Sequence, residues 1–497
     1  MPDFSVKTLS LPTGSYSLPE PRASVRRLVN CYSEVAPNVT GLDAKSKDPP
    51  VILRRTPGIV QWNQTGNLVP GYPPVASVRG MFVMAGTLYA VVGDQLGSYD
   101  QFGNYTFLGT GIPGSGRVYM TGNGYCLVII LPGLVPGIGY TWDLADGLLP
   151  ITASTFVTYG AAQVGFIDSY IVFLQANGRG FYNDDGQITS GTGPITFNNF
   201  GQLPREFGTD PFVGMQVLNR VIWCFGELTS ECYIDAGNTA GSPFASSPNN
   251  FMELGCANGN TVVKQNQTIF WIANDLTVRC INNQSGITPT RVSNHAIEAI
   301  LQDITITDAY SMAYSLSGHL MVVFVFPTAQ RTLVYDCITT EWHEMSSYGI
   351  GYWRPFCIAN AYGKQLIGDS QPTAQIGYLD PGTYTEFGNT LVATWIHQPV
   401  YAGHMRLRHR RLEIVLGTGE APLTGQGSEP LITLQMSDDG GHTWRTMPAR
   451  SLGSEGKRAT RAVWYNLGTS RERVYQFNLS DPVELWLTDV TLDALPI

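Results

Sequence analysis

Short β-rich runs alternate with tight turns of Gly, Asp, Asn or Pro along most of this chain, and that rhythm limits what it can fold into. Leu88-Tyr89-Ala90-Val91-Val92-Gly93-Asp94 is one run with its turn, and Arg220-Val221-Ile222-Trp223-Cys224-Phe225-Gly226 is a second. His319-Leu320-Met321-Val322-Val323-Phe324-Val325-Phe326 and Gln365-Leu366-Ile367-Gly368-Asp369 repeat the design. β-Branched and aromatic residues bounded by turn formers read as strands. Their recurrence builds stacked or radially arranged antiparallel sheets with almost no helix.

The composition narrows the use of such a scaffold. Charged residues are 14% of the chain, well under the rough quarter usual in globular domains. The 24 Tyr and 10 Trp carry large apolar bodies with polar tips, which suits sheet faces and subunit interfaces. The expected surface is therefore uncharged polar or buried against other chains. Large β-chains of this kind are more often scaffolds and receptors than enzymes. A net charge of −9 gives the whole chain no electrostatic hold on nucleic acid, although it leaves room to surround one.

Eight cysteines (31, 126, 224, 232, 256, 280, 337 and 357) form no CxxC and no Cys/His quartet, which argues against a zinc site; no metal-binding residue and no cofactor is assigned. Cys224 and Cys232 lie across an expected hairpin, but the apolar strand contexts of most cysteines point to reduced, buried thiols. Met1-Pro2-Asp3-Phe4-Ser5-Val6-Lys7 lacks the basic start and apolar core of a signal peptide. No run reaches the roughly 18 apolar residues that span a bilayer. A soluble protein outside the usual export route is expected.

The fold class expected is all-β: a six-bladed β-propeller with an additional C-terminal β-sandwich-like domain. Residues 1–70 are Pro-rich and read as an irregular segment packing on the propeller or a neighbouring subunit. The propeller spans 71–384, grouped as units near 75–112, 115–158, 160–208, 210–258, 260–308 and 310–380. Blades of about 40 to 50 residues fit that rhythm. The stretch from Ser293 to Leu301 reads as a two-turn helix, with a Ser/Asn start and apolar residues at helical spacing, whereas Ala44 to Asp48 is too short and polar to assign. Residues 385–497 form the sandwich, with strands expected at 391–397, 408–416, 431–436, 461–466, 474–479 and 483–492.

Ser437-Asp438-Asp439-Gly440-Gly441-His442-Thr443-Trp444 fits S-x-D-x-G-x-T-W and resembles the Asp-box of sialidases and related propellers. Physically this is a hairpin turn: Asp439 accepts turn amides, Gly441 supplies an unusual backbone angle, and Trp444 packs beneath. Ser437 and Thr443 complete it, and a structural role outweighs a catalytic one. Sialidase chemistry needs an arginine cluster and a tyrosine nucleophile backed by an acid, and no motif groups candidates such as Arg117, Arg279 and Arg331. No catalytic residue is assigned. Asn183-Asp184-Asp185-Gly186 is a carboxylate pair that also reads as a turn and lacks further calcium ligands.

The most basic stretch, His404-Met405-Arg406-Leu407-Arg408-His409-Arg410-Arg411, alternates basic and apolar residues. Arg406, Arg408, Arg410 and Arg411 are therefore the candidate contacts for DNA or an acidic partner, against the default of a solvated face. Arg450, Lys457, Arg458, Arg461, Arg471 and Arg473 add positive charge to the same domain. No GxGxxG, Walker loop, GxSxG elbow or HExxH is present. Gly111-Ile112-Pro113-Gly114-Ser115-Gly116-Arg117 is Gly-rich but reads as a linker between blades.

Several segments, in order, resemble the tail-hub (nozzle) proteins of short-tailed bacteriophages, the packaged-DNA stabilisation family. Arg54-Arg55-Thr56-Pro57-Gly58-Ile59 is similar to that family's Arg-x-x-Pro-Gly-Ile, and Gly114-Ser115-Gly116-Arg117-Val118 to its Gly-Ser-Gly-Arg-Val. Val221 to Gly226 with Ser230-Glu231-Cys232-Tyr233, then Gly237-Asn238-Thr239-Ala240-Gly241, follow. Val334-Tyr335-Asp336 with Trp342, Gly368-Asp369 with Ile376-Gly377, the Asp-box hairpin and Val463-Trp464-Tyr465-Asn466-Leu467-Gly468 close the series. The resemblance implies a structural, non-enzymatic tail subunit assembled as a homohexamer. It implies a hub that extends the portal and adaptor rings, retains packaged double-stranded DNA until genome ejection, and carries tail spikes or fibres and a needle or plug. It also implies assembly in the host cytoplasm and location in the virion tail. The alternatives from the residues are a glycan-binding or sialidase-like propeller, or a receptor-binding tail module.

Overall fold

A computed structural model describes residues 6–17, 26–35, 51–64, 75–183, 202–238, 242–282 and 288–497. The chain divides into two compact units, each discontinuous in sequence. One comprises Gln61–Ser315 and Arg354–Leu379; the other comprises Met1–Val60, Leu316–Trp353 and Asp380–Ile497.

In the first unit, five four-stranded antiparallel meanders follow one another, each paired in sequence order. Val78–Met84, Tyr119–Gly122, Gln163–Ile167, Phe212–Leu218 and Val263–Gln265 open them. Successive opening strands lie side by side, as in a propeller, and Pro355–Ala361 packs on Val78–Met84 to close the ring. Tyr310–Leu316 fills the remaining place: the Gln265 amide donates to the Tyr314 carbonyl at 2.9 Å, and the Tyr310 hydroxyl donates to the Pro355 carbonyl at 2.9 Å. The core is a series of layers between neighbouring sheets. Val128, Ile130, Phe156 and Phe173 fill one, Ile222, Cys224 and Tyr233 help fill another, and Val78, Cys357 and Ile376 seal first sheet to last.

The strand groups number seven among the described residues, where the sequence rhythm gave six. The span 310–380 holds two groups: Tyr310–Leu316, His319–Phe326, Arg331–Asp336 and Trp342–Glu344, then Pro355–Ala361, Lys364–Asp369 and Ile376–Asp380. A weaker repeat marks all seven. Each third strand ends at or just before an Asp or Asn: Asp100, Asp143, Asn183, Asp235, Asn282, Asp336 and Asp380. The carboxylates accept amides of the following turn, as from Phe102 to Asp100 at 2.8 Å, Ala145 to Asp143 at 2.8 Å and Ile338 to Asp336 at 2.9 Å.

Cys224 and Cys232 do not face each other across their hairpin. Cys224 pairs with Glu231 and Trp223 with Cys232, so the two thiols enter different inter-sheet layers. All eight cysteines are free. The expected helix is found as His295–Asp303, where the Asn294 side chain caps the Ile297 amide at 3.0 Å. The helix Ser154–Tyr159 was not legible: it has six residues and no side-chain cap.

The second unit is a β-sandwich with N-terminal strands woven in. One sheet runs Cys31–Val35, Val51–Arg55, Trp486–Pro496, Leu407–Leu416, Ala462–Ser470, with Val6–Leu9 also on Trp486–Pro496. Facing it, Arg27–Val29, Ala393–Ile396, Glu472–Leu479 and Leu431–Ser437 lie in order. Leu28, Leu53, Trp395, Leu412, Trp464 and Phe477 fill the space between, all fully buried. The six C-terminal strands expected from sequence are all present, with ends shifted by a few residues.

The N-terminal stretch expected to be irregular contributes five strands in its described residues: Val6–Leu9, Arg27–Val29, Cys31–Val35, Val51–Arg55 and Gly58–Gln61. Each spans three to five residues, too short for alternation to be read, and several partners lie hundreds of residues away. Ala44 to Asp48 lies outside the described residues. Arg27–Val29 runs parallel to Trp342–Glu344 and antiparallel to Ala393–Ile396. Glu344 clamps the junction, accepting two hydrogen bonds from Arg27 at 2.9 Å and two from Arg331 at 3.1 Å.

Candidate contact face and turn motifs

From Leu407 the basic stretch folds as the Leu407–Leu416 strand, where alternation places its charges, and Arg406 directly precedes it. Leu407 and His409 are buried, while Arg406, Arg408 and Arg410 are exposed. A β-bulge between His409 and Arg411 then breaks the period, and Arg411 becomes half-buried. Arg410 lies 3.8 Å from Asp493. Arg411 pairs with Glu413, which also takes Arg461 at 2.5 Å. Arg406 and Arg408 have no ion pair among the described residues. Two of the four candidates therefore keep free charge, and the strand carries its own counter-ions.

The other basic residues of this unit are mostly engaged as well. Arg473 is 1% exposed, chelates Asp438 at 2.6 and 2.8 Å and donates to the Leu467 carbonyl at 2.6 Å. The Arg450 guanidinium donates to the Val463 carbonyl at 2.7 Å, and Arg458 pairs with Glu420 at 3.2 Å. Buried arginines recur in structural roles that the sequence did not reveal. Arg354 chelates Asp369, which is wholly buried, and Arg205 reaches Glu231 and Asp210. Arg55, from the Arg-x-x-Pro-Gly-Ile segment, donates to the carbonyls of Asp481, Val483 and Leu391, and burial pushes its pKa down to about 10. The shared signal is an arginine inside or beside an apolar run. Read from sequence, it looks like surface charge.

His409 lies beneath the basic face. Its Nε2 is 2.8 Å from the Ser470 hydroxyl and its Nδ1 2.7 Å from the Tyr475 hydroxyl. A Ser–His pair is the start of a nucleophile, but His409 is 1% and Ser470 6% exposed, so no substrate reaches them. Burial pushes the imidazole down to about 4, and the neutral ring ties three strands together.

The Asp-box segment is closed by hydrogen bonds of its own side chains. Ser437 Oγ donates to Asp439 Oδ1 at 2.6 Å, and Asp439 accepts the Thr443 amide at 2.9 Å and hydroxyl at 2.5 Å. These bonds hold the carboxyl well below its usual range. Gly441 has φ +99°, a region that favours glycine, and Trp444 packs on Ile396 and Val474. The arginines weighed for sialidase chemistry serve separate local structures. Arg279 bonds Asp275 at 2.9 Å, Arg331 bonds Glu344, and Arg117 lies between Tyr119 and Tyr310. Asn183 Oδ1 accepts from Ser242 at 3.4 Å, and Asp184 to Gly186 lie outside the described residues. So do Thr239 to Gly241. Among the described residues, no group of three His, Cys, Asp or Glu side chains is placed to hold a metal, and no helix is long and apolar enough to cross a membrane.

A propeller, a β-sandwich and arginines directed at their own backbone define a β-scaffold protein. Residues 36–384 match the family model described as Bacteriophage P22 Gp10, beta-propeller, and residues 395–494 that described as Bacteriophage P22 Gp10, beta-sandwich. The chain belongs to this family of phage DNA-stabilisation proteins and is a structural component of the phage tail. The resemblance read from its motifs holds. No curated protein matches the chain. Solved structures similar to it include YCF48 bound to D1 peptide, at 12% identity and TM-score 0.38, covering 65% of this chain and 99% of that one. The designed Ika8 protein matches at 10% identity and TM-score 0.34, covering 63% and 98%. The extracellular domain of a hybrid two component system from B. thetaiotaomicron matches at 8% identity and TM-score 0.42, covering 88% and 61%.

Proposed function

We propose that this protein is the hub, or nozzle, of a short phage tail: a ring of six copies that extends the portal–adaptor channel. The ring retains packaged double-stranded DNA until ejection and carries spikes or fibres and a needle or plug. It acts without catalysis and assembles in the host cytoplasm. The observation that carries this reading is the collinear match of both family modules over 36–384 and 395–494. The net charge of −9 supports a channel wall along which DNA slides without being gripped. Arg406 and Arg408, exposed and unpaired, are the proposed contacts to an acidic partner surface. The domain limits proposed are an N-terminal segment over 1–70, a propeller over 71–384 and a sandwich over 385–497.

Negative-stain microscopy of the purified chain, alone and with adaptor rings, tests the proposal. Six-fold rings are expected in at least one condition. A protein that stays monomeric in both, and is missing from purified virions, overturns it.

A further inference from the structure

In the Gly-Ser-Gly-Arg-Val segment, Gly114 has a conformational explanation, whereas Arg117 makes few contacts of its own beyond the two tyrosine rings. Arg79, 1% exposed, donates to the carbonyls of Gly93, Ile112, Pro113 and Gly116 at 2.7–3.0 Å. Those bonds fix the 111–116 loop, where Gly111 and Gly114 take φ of +97° and +82°. The fixed loop presents Arg117 to a cavity of about 360 Å³ lined by Tyr119, Asn260, Asp308, Tyr310 and Phe356.

Arg117 is half-buried, and its guanidinium carbon lies 5.6 Å from the ring centres of both Tyr119 and Tyr310. One long hydrogen bond, from Nη1 to the Ser311 carbonyl at 3.4 Å, is all that it makes among the described residues. A guanidinium has five N–H donors in a planar fork that matches a carboxylate. Here the guanidinium lines the cavity, held beside two aromatic rings and a braced loop. Asn260 adds an amide, whose oxygen already accepts from the Tyr119 hydroxyl at 2.6 Å. Asp308 on the same wall adds negative charge, which opposes any anion and a dianion most. The volume lies within the usual span of small-molecule sites, about 300–1,000 Å³.

We propose that this cavity of the propeller binds a small monocarboxylate, with the carboxylate on Arg117 and a flat-faced body, acidic sugar or aromatic acid, against the surrounding rings. The proposed role is binding alone; the second arginine of the lining, Arg79, is taken up by backbone carbonyls. Titration calorimetry of the full chain with glucuronate, benzoate, glucose and inorganic phosphate tests it. Glucuronate or benzoate is expected to bind, and which of them does separates the sugar from the aromatic source. Glucose is expected not to bind, and phosphate to bind at least about tenfold more weakly. R117Q is expected to weaken carboxylate binding about tenfold or more at unchanged melting temperature. N260D keeps an acceptor for the Tyr119 hydroxyl while adding negative charge, and should weaken binding similarly. Absence of carboxylate binding at about 20 mM, phosphate bound equally well, or affinity unchanged in both variants overturns the proposal.

Discussion

Four carbonyl oxygens converge on the Arg79 guanidinium, and removing it would leave the buried Ile112 carbonyl and three partly buried ones without this partner. R79M is expected to destabilise the propeller unit by about 3 kcal/mol or more, read as a lowered melting temperature and faster proteolysis near 111–116. Titration supplies a second residue-scale prediction. His343, His397 and His409 are buried, and burial pushes each from 6.5 to about 4. A depressed folded pKa means that the unfolded chain takes up protons first. The stabilisation is therefore complete above pH 6.5 and lost as pH falls toward 4. Denaturation measured across that window should show stability falling by up to about 2–3 kcal/mol per histidine, with the effect reduced in H409Q. His319 acts oppositely, because its hydrogen bond to Asp336 raises its pKa; its contribution is complete below pH 6.5 and lost as pH rises past the folded value. The Asp-box turn was legible because the hydrogen bonds that close it, among Ser437, Asp439, Gly441 and Thr443, lie within eight residues. Arg79 and the histidines were not, since burial by distant strands gives them their roles.

At the scale of elements, the three residues Arg27–Val29 connect strands from two other parts of the chain. Glu344, with its side chain 4% exposed, balances Arg27 and Arg331 there. E344Q leaves two arginines facing each other and is expected to cost about 2–3 kcal/mol, discounted because Arg27 is partly solvated. Joint replacement of Arg331 and Glu344 by Met should cost less than E344Q alone, measured by thermal melting. For the basic strand, R406E with R408E should weaken partner binding and flatten its salt dependence, measured at two ionic strengths, while R410E and R411E act mainly on stability. The strand itself could be read from its alternating residues. Its neutralisation was only partly legible: Glu413 stands two residues from Arg411 on the same strand, but Asp493 reaches Arg410 only through strand pairing and a bulge.

For the whole molecule, the expected readout is a ring. Mass photometry of the purified chain with adaptor should show a six-copy species, and the double variant R406E/R408E should reduce its population if that strand makes the contact. The propeller and sandwich classes were both legible, because alternation and turn residues are local. Repetition of strand and turn determined that this chain makes antiparallel sheets in series. The tertiary structure decided how many groups there are, where the N-terminal strands insert, and which arginines remain available. Strand partnership, burial and charge pairing all depend on residues far apart in sequence, and each short run carries no record of its partner.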